Sequence, residues 1–241
     1  MENIILNKGI IKINDIPSTF IHNKPIIFWD TCSLLYFNSI INRRAYKEFK
    51  VDKNLTDLIL NEEVYSVTSI LVYQEFNKHH EDLKNKDIDL ELSLANAMKE
   101  YGEIIGGEDK EQLLEGISAF KLASVMDTMV SIIWEHTYVI DDDISFLQKA
   151  HNRVLSDTPP SGKGQEYKDC YIWETFLAFC DNVTNKNQAY FVTENSDDYC
   201  GKKNKTPYSG IQNEVESYKG YIEISKYRLW VDIAHKLGII K

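Results

Sequence analysis

The chain has 241 residues, 43% of them hydrophobic and 12% aromatic, with only 11 glycines and 5 prolines; this supports one large domain or two small ones and excludes collagen-like or largely disordered chains. A formal net charge of −10 argues against a generic basic nucleic-acid coat, though not against a nuclease, because a carboxylate-rich site makes its own chain acidic. No apolar run approaches the roughly 20 residues of a spanning helix, no basic-then-apolar leader opens the chain, and the four widely spaced cysteines (Cys32, Cys170, Cys180, Cys200) fit cytoplasmic thiols better than disulfides or a zinc site.

In chain order, residues 3–13 alternate loosely and predict an entry strand or arm. "PIIFW" (25–29) is apolar and continuous, as in a strand covered on both faces. "CSLLYFNSI" then predicts a helix, and "EVYSVT" (63–68) a second strand. Residues 69–80 have helical spacing, with Thr68 or Ser69 as N-cap. Helix-like text runs from about 87 to 135, broken at "GGED" (106–109). Further helices are predicted at 144–155 and 167–180, then a strand at 189–193 and the loop "ENSDDYCGKKNKTP". Helix "GIQNEVESY", strand "YIEIS" (221–225) and helix "YRLWVDIAHKLG" close the chain.

Alternation of short strands with helices predicts an α/β fold, a mainly parallel twisted sheet of about four to five strands flanked by helices. In such sheets ligands bind beyond the carboxyl ends of the strands. Asp30 and "ENSDD" stand at two such ends, Glu75 lies in the helix after another strand, and Asp169 begins its helix. Taken singly, Asp30 reads as a helix cap, Glu75 as a solvated helix residue and Asp169 as a macrodipole partner. "DDDIS", from Asp141, reads as caps and a favourable first turn. The six histidines form no HExxH pattern, and "PPSGKGQ" is not a Walker loop. A dehalogenase-type phosphatase needs a second aspartate two residues after the first, where this chain has Cys32. The apolar positions Leu90, Leu92, Leu94 and Met98 read as packing rather than as a partner surface.

Together, "IIFWDTCSLL", "YSVTSILVYQEF", "RVLSDTPPSGKGQEYKDCYIWE" and "AYFVTENSDDY" resemble, in that order, a PIN-domain nuclease. They are closest to the bacterial PIN-like group with a Pro-Pro…Lys-Gly…Asp third motif. The resemblance implies a single domain over 1–241 with a helical insertion at about 82–140. It implies metal-dependent phosphodiester hydrolysis, most readily by an endoribonuclease in a toxin or defence role. A structure-specific DNA nuclease and a degenerate binding or regulatory module are the alternatives. Carried over position by position, Asp30, Glu75, Asp169 and Asp198 are the catalytic acids. With Asn195 they form the ligand set for Mg²⁺ or Mn²⁺, ions that prefer oxygen donors. Thr31 and Thr193 match hydroxyls that brace such sites, on the substrate side with Lys163, Lys168 and Arg153; Arg153 has pairing with an acid as its alternative. Asp197 is an extra acid, and Glu174 a distant second choice. The implied partners are nucleic acid, RNA before DNA, with an antitoxin-like inhibitor and a homodimer as family options.

Overall fold

A computed structural model describes residues 5–20, 22–105, 121–161, 167–183, 188–200, 206–218, 220–223 and 225–240. The expected break at 106–109 and the Lys163 assignment lie outside the described residues. The strands are β1 (Ile10–Ile11), β2 (Ile26–Trp29), β3 (Tyr65–Ser69), β4 (Thr137–Ile140), β5 (Ala189–Val192) and β6 (Tyr221–Glu223). They form one sheet in the order β1-β4-β3-β2-β5-β6, with all neighbouring strands parallel. All strands therefore end on one edge, and the order reverses about β2, which is where a ligand crevice belongs.

The helices are α1 (Ile16–Thr19), α2 (Thr31–Leu35), α3 (Phe49–Leu60), α4 (Ile70–Ile105), α5 (Leu122–Glu135), α6 (Ile144–Leu155), α7 (Tyr167–Asn182), α8 (Ser196–Tyr199), α9 (Ser209–Ser217) and α10 (Lys226–Lys236). β2 is buried along its whole length, as its unbroken apolar run requires. Phe28 packs on Phe176, Phe179 and Phe191, and Trp173 sits edge-on to Phe191, so α7 closes one face of the sheet.

The sheet has six strands rather than four or five. β4 is the strand the helix-like reading passed over: "TYVI" is four residues long and follows α5 after a single turn residue. Asp141–Asp143 consequently follow a strand on the same edge as Asp30. Their capping role stands, since the Asp143 carboxylate accepts from Ser145 N at 2.8 Å. The second correction concerns α4, a single 36-residue helix where two segments were expected. Ser69 caps it, its Oγ accepting from Val72 N at 3.3 Å. Farther along, buried Asp87 accepts from Ile41 N and Asn42 N at 3.0 and 2.8 Å, fixing the segment before α3. The stripe expected to pack does not do so among the described residues: Leu90, Leu92, Leu94 and Met98 are exposed.

β6 ends in Glu223, beside Asp232 of α10. Burial, then the Asp232 charge, pushes the Glu223 carboxyl up to about 7 from 4.5. The native state therefore binds a proton that the unfolded chain releases, so stability falls as pH rises from 4.5 through 7. Glu223→Gln should raise the unfolding free energy at pH 8, by about 1 kcal/mol after solvent screening, but not at pH 4. Denaturation at the two pH values measures this, and equal effects at both would contradict it.

Candidate functional site

Asp30 leaves β2 as the N-cap of α2. Its backbone N–H continues the ladder to Val192 O at 3.0 Å, which fixes the side chain at the sheet edge. Oδ1 accepts from Thr31 N at 2.7 Å. Oδ2 accepts from Thr193 Oγ1 at 2.7 Å and from Cys32 Sγ at 3.0 Å. Asp30 is 1% exposed, and no cation pairs with it among the described residues. Burial holds its carboxyl above the ordinary range despite the hydrogen bonds from Cys32, Thr193 and Thr31, and the Glu75 charge adds to the rise. A carboxylate offers about four acceptor positions; three protein donors leave one open. A buried anion with hydrogen bonds but no counter-ion, and an open lone pair, suits a cation.

Glu75 comes from the second turn of α4. Its Oε2 accepts from Thr31 Oγ1 at 2.8 Å, and Lys168 Nζ of α7 donates to Oε1. Thr31 thus links Asp30 and Glu75, one through its N–H and the other through its hydroxyl. Asp169 lies in the first turn of α7. The hydroxyl of buried Tyr199 reaches its backbone oxygen at 3.5 Å. Burial, then the charges of Asp30 and Asp169, push that hydroxyl well up, which places both acids around Tyr199. Asn195 N–H donates to Thr193 Oγ1 at 2.9 Å, and the Asn195 amide donates to Asp198. Asp197 lies beside Asp198 in α8.

Arg153 is elsewhere engaged. Buried in α6, its guanidinium donates to Glu174, to Pro159 O and, at 2.7 Å, to Glu214 Oε1, while Trp173 Nε1 donates to Glu214 Oε2 at 2.9 Å. Its donor fork is committed to the chain's own acceptors, the pairing alternative left open by the sequence. Glu174 belongs to that cluster rather than to Asp30.

Two residues of the site, Cys32 and Glu194, are given no role in it by the sequence. The Cys32 thiol bridges Asp30 and Thr193 and accepts from Glu194 N at 3.2 Å. The Glu194 carboxylate turns away and accepts from Lys226 N at 3.2 Å. Lys226 extends inward to Asp52, 2.7 Å away, the two side chains being 2% and 1% exposed. A chain of contacts therefore runs from α3 and α10 to the loop that carries Asn195 and Asp198.

The donors on this edge, Asp30, Glu75, Asp169, Asp198 and the Asn195 amide, are hard oxygen ligands that suit Mg²⁺ or Mn²⁺ by chemistry. Among the described residues, no three His, Cys, Asp or Glu side chains are gathered as a metal-holding group. Glu75 instead holds the Lys168 ammonium and Asp198 the Asn195 amide.

No curated protein and no solved structure matches the chain. A family model described as a PIN domain matches residues 27–199, from β2 to the end of α8. PIN domains are generally nucleases that use divalent metal ions. The match spans well over half of the chain and encloses Asp30, Glu75, Asp169, Asn195 and Asp198; the chain belongs to the PIN-domain family.

Proposed function

We propose that this protein is a divalent-metal-dependent endoribonuclease whose centre is Asp30, with Glu75, Asp169, Asp198 and Asn195 as the remaining ligands. The observation that carries this reading is the buried Asp30 carboxylate, hydrogen-bonded but without a cationic partner among the described residues, with Glu75 and Asp169 nearby. A bound Mg²⁺ or Mn²⁺ supplies an activated water and neutralises the scissile phosphate.

The chain's own groups do the rest. Thr193 and Cys32 fix Oδ2 of Asp30, so the carboxylate is pre-oriented rather than ordered on binding. Thr31 couples the orientation of Glu75 to that of Asp30. Lys168 offsets the Glu75 charge and is placed to meet a substrate phosphate once that carboxylate takes up a metal ligand role. The choice of RNA rests on the family resemblance, as do a growth-arresting toxin or defence role and an inhibitory partner.

Incubation with labelled RNA, single-stranded DNA and flap DNA, with Mg²⁺ or Mn²⁺ and then with EDTA, tests the reading. RNA cleavage that EDTA stops is expected. Preference for flap DNA would favour a structure-specific DNA nuclease. No cleavage of any substrate, together with no metal binding, would favour a regulatory module, the reading to which the Asn195–Asp198 and Lys168–Glu75 contacts otherwise lend themselves.

A further inference from the structure

Helix α6 leaves the sheet directly after β4, at the edge that carries Asp30. The first turn of α7 lies at the same edge, since Lys168 there donates to Glu75. Two tyrosines of α7, one turn apart and so on one helix face, tie it to the start of α6. Tyr171 is buried, donates to Asp142 and packs on Phe146 with ring centroids 6.0 Å apart. Tyr167 donates to Leu147 O at 3.2 Å, yet remains 37% exposed. The inner tyrosine is a packing contact, whereas the outer one presents part of an aromatic ring to solvent. Ile144 and Leu147, neighbours across one turn of α6, are exposed as well. An apolar patch therefore borders the edge that holds Glu75.

Charge divides the surroundings of Tyr167. Lys168 follows it directly, about 3.8 Å away between Cα atoms. The Lys168 side chain is 57% exposed, and an ammonium has three donors, of which Glu75 takes one. On the α6 side, Asp141, Asp142 and Asp143 precede Ile144. An anionic backbone is drawn to the lysine and repelled by the aspartates, while an uncharged ring is indifferent to both.

We infer that Tyr167 is a substrate-binding residue on which one unpaired nucleobase of the RNA stacks, with the adjoining phosphate on the Lys168 side. The inference rests on the nuclease reading above for its substrate and adds that the strand is single. Every base has a π-face, so stacking on a tyrosine tolerates any sequence. Bases within an A-form duplex are stacked on one another and are not offered to a side chain. The hydroxyl tether to Leu147 O holds the ring in place before substrate arrives, so little side-chain freedom is lost on binding. Ile144 and Leu147 extend the apolar surface beside it, which favours a base over water there.

Fluorescence anisotropy of the full chain in EDTA tests this apart from cleavage. The probes are a short labelled RNA, the same RNA with a single abasic residue placed at each position in turn, and the RNA as a duplex. The wild type should bind the single strand more tightly than the duplex. An abasic residue at one position should weaken its binding about five- to a hundredfold, the range for one base stacked on an aromatic side chain. Tyr167→Ala should bind the intact RNA more weakly by a similar factor and show no further loss at that position. Tyr167→Phe, which keeps the ring and loses the tether, should retain the abasic penalty. A merely structural tyrosine would leave that penalty unchanged in Tyr167→Ala. The wild-type scan needs no variant, so it tests the claim even where Tyr167→Ala fails to fold. Duplex bound as tightly as single strand, no abasic position that weakens wild-type binding, or a penalty that persists in Tyr167→Ala would overturn the proposal. Any of these with Mn²⁺-dependent RNA cleavage intact leaves the nuclease reading standing, whereas the expected binding pattern without cleavage removes that reading alone.

Discussion

Asp30→Asn should reduce cleavage by at least about 10²–10³-fold, the scale set by removing one pre-organised charge-stabilising group, without destabilising the protein. Asparagine caps helices as well as aspartate does, so the Thr31 N–H at the start of α2 keeps its acceptor. The Thr193 hydroxyl can rotate to accept from the new amide. The substitution also removes a buried charge whose carboxyl is held above its ordinary range by burial and by Glu75. A raised carboxyl pKa means that native stability falls as pH rises from the unfolded value of 3.8 through the higher native one. The metal-free variant should therefore be as stable as the wild type at pH 7, or more so, and its stability should depend less on pH between the two values. Activity assays paired with urea denaturation measure both effects. Loss of activity through unfolding would contradict the assignment of Asp30 to chemistry.

The second large effect lies away from the edge. Lys226→Met should cost about 3–5 kcal/mol, the penalty for leaving a buried charge without its partner. Lys226 and Asp52 are almost wholly buried and 2.7 Å apart, and among the described residues neither group has a well-aligned hydrogen bond. Lys226 also lies 3.9 Å from the Phe37 ring centroid. Burial outweighs the Lys226 charge and keeps the Asp52 carboxyl raised, so the pair holds position more than it adds stability. The double variant Asp52→Leu/Lys226→Met should accordingly recover most of the loss, or exceed the wild type. A single variant as stable as the wild type, or a double variant no better than the single, would contradict this. The donor to Glu194, which precedes Asn195, is the Lys226 backbone N–H; methionine keeps it, so activity of the single variant should fall only in proportion to its folded fraction.

Much of this architecture could be read from periodicity. "IIFW" is buried on both faces and reads as a central strand, and the position of Asp30 after it follows from strand length. The spacing of 144–155 and of 167–180 gave helices close to those found. β4 escaped because four residues between two helices carry too little pattern to separate strand from helix end. Helix α3 also went unmarked; its buried face includes Asp52, a charge that local reading assigns to the surface. The continuity of α4 was hidden because its far half is exposed, where apolar spacing says nothing about packing. Within the site, sequence order could nominate acids but not their hydrogen bonds. The Cys32 bridge, the Thr31 link and the turning of Glu194 toward Lys226 depend on chain segments about 30 to 160 residues apart. Arg153 shows the converse: a cation near the third motif fits a phosphate until Glu174 and Glu214 are seen to hold it.

The most direct test is titration of Mn²⁺ into the wild-type protein and into Asp30→Asn, followed by calorimetry and by the shift in melting temperature. Saturable binding that raises the wild-type melting temperature, weakens as pH falls through the carboxylate range, and disappears in Asp30→Asn is expected. Equal Mn²⁺ binding by the two proteins, or none by the wild type, would contradict the claim that Asp30 is the centre of a metal-dependent nuclease site.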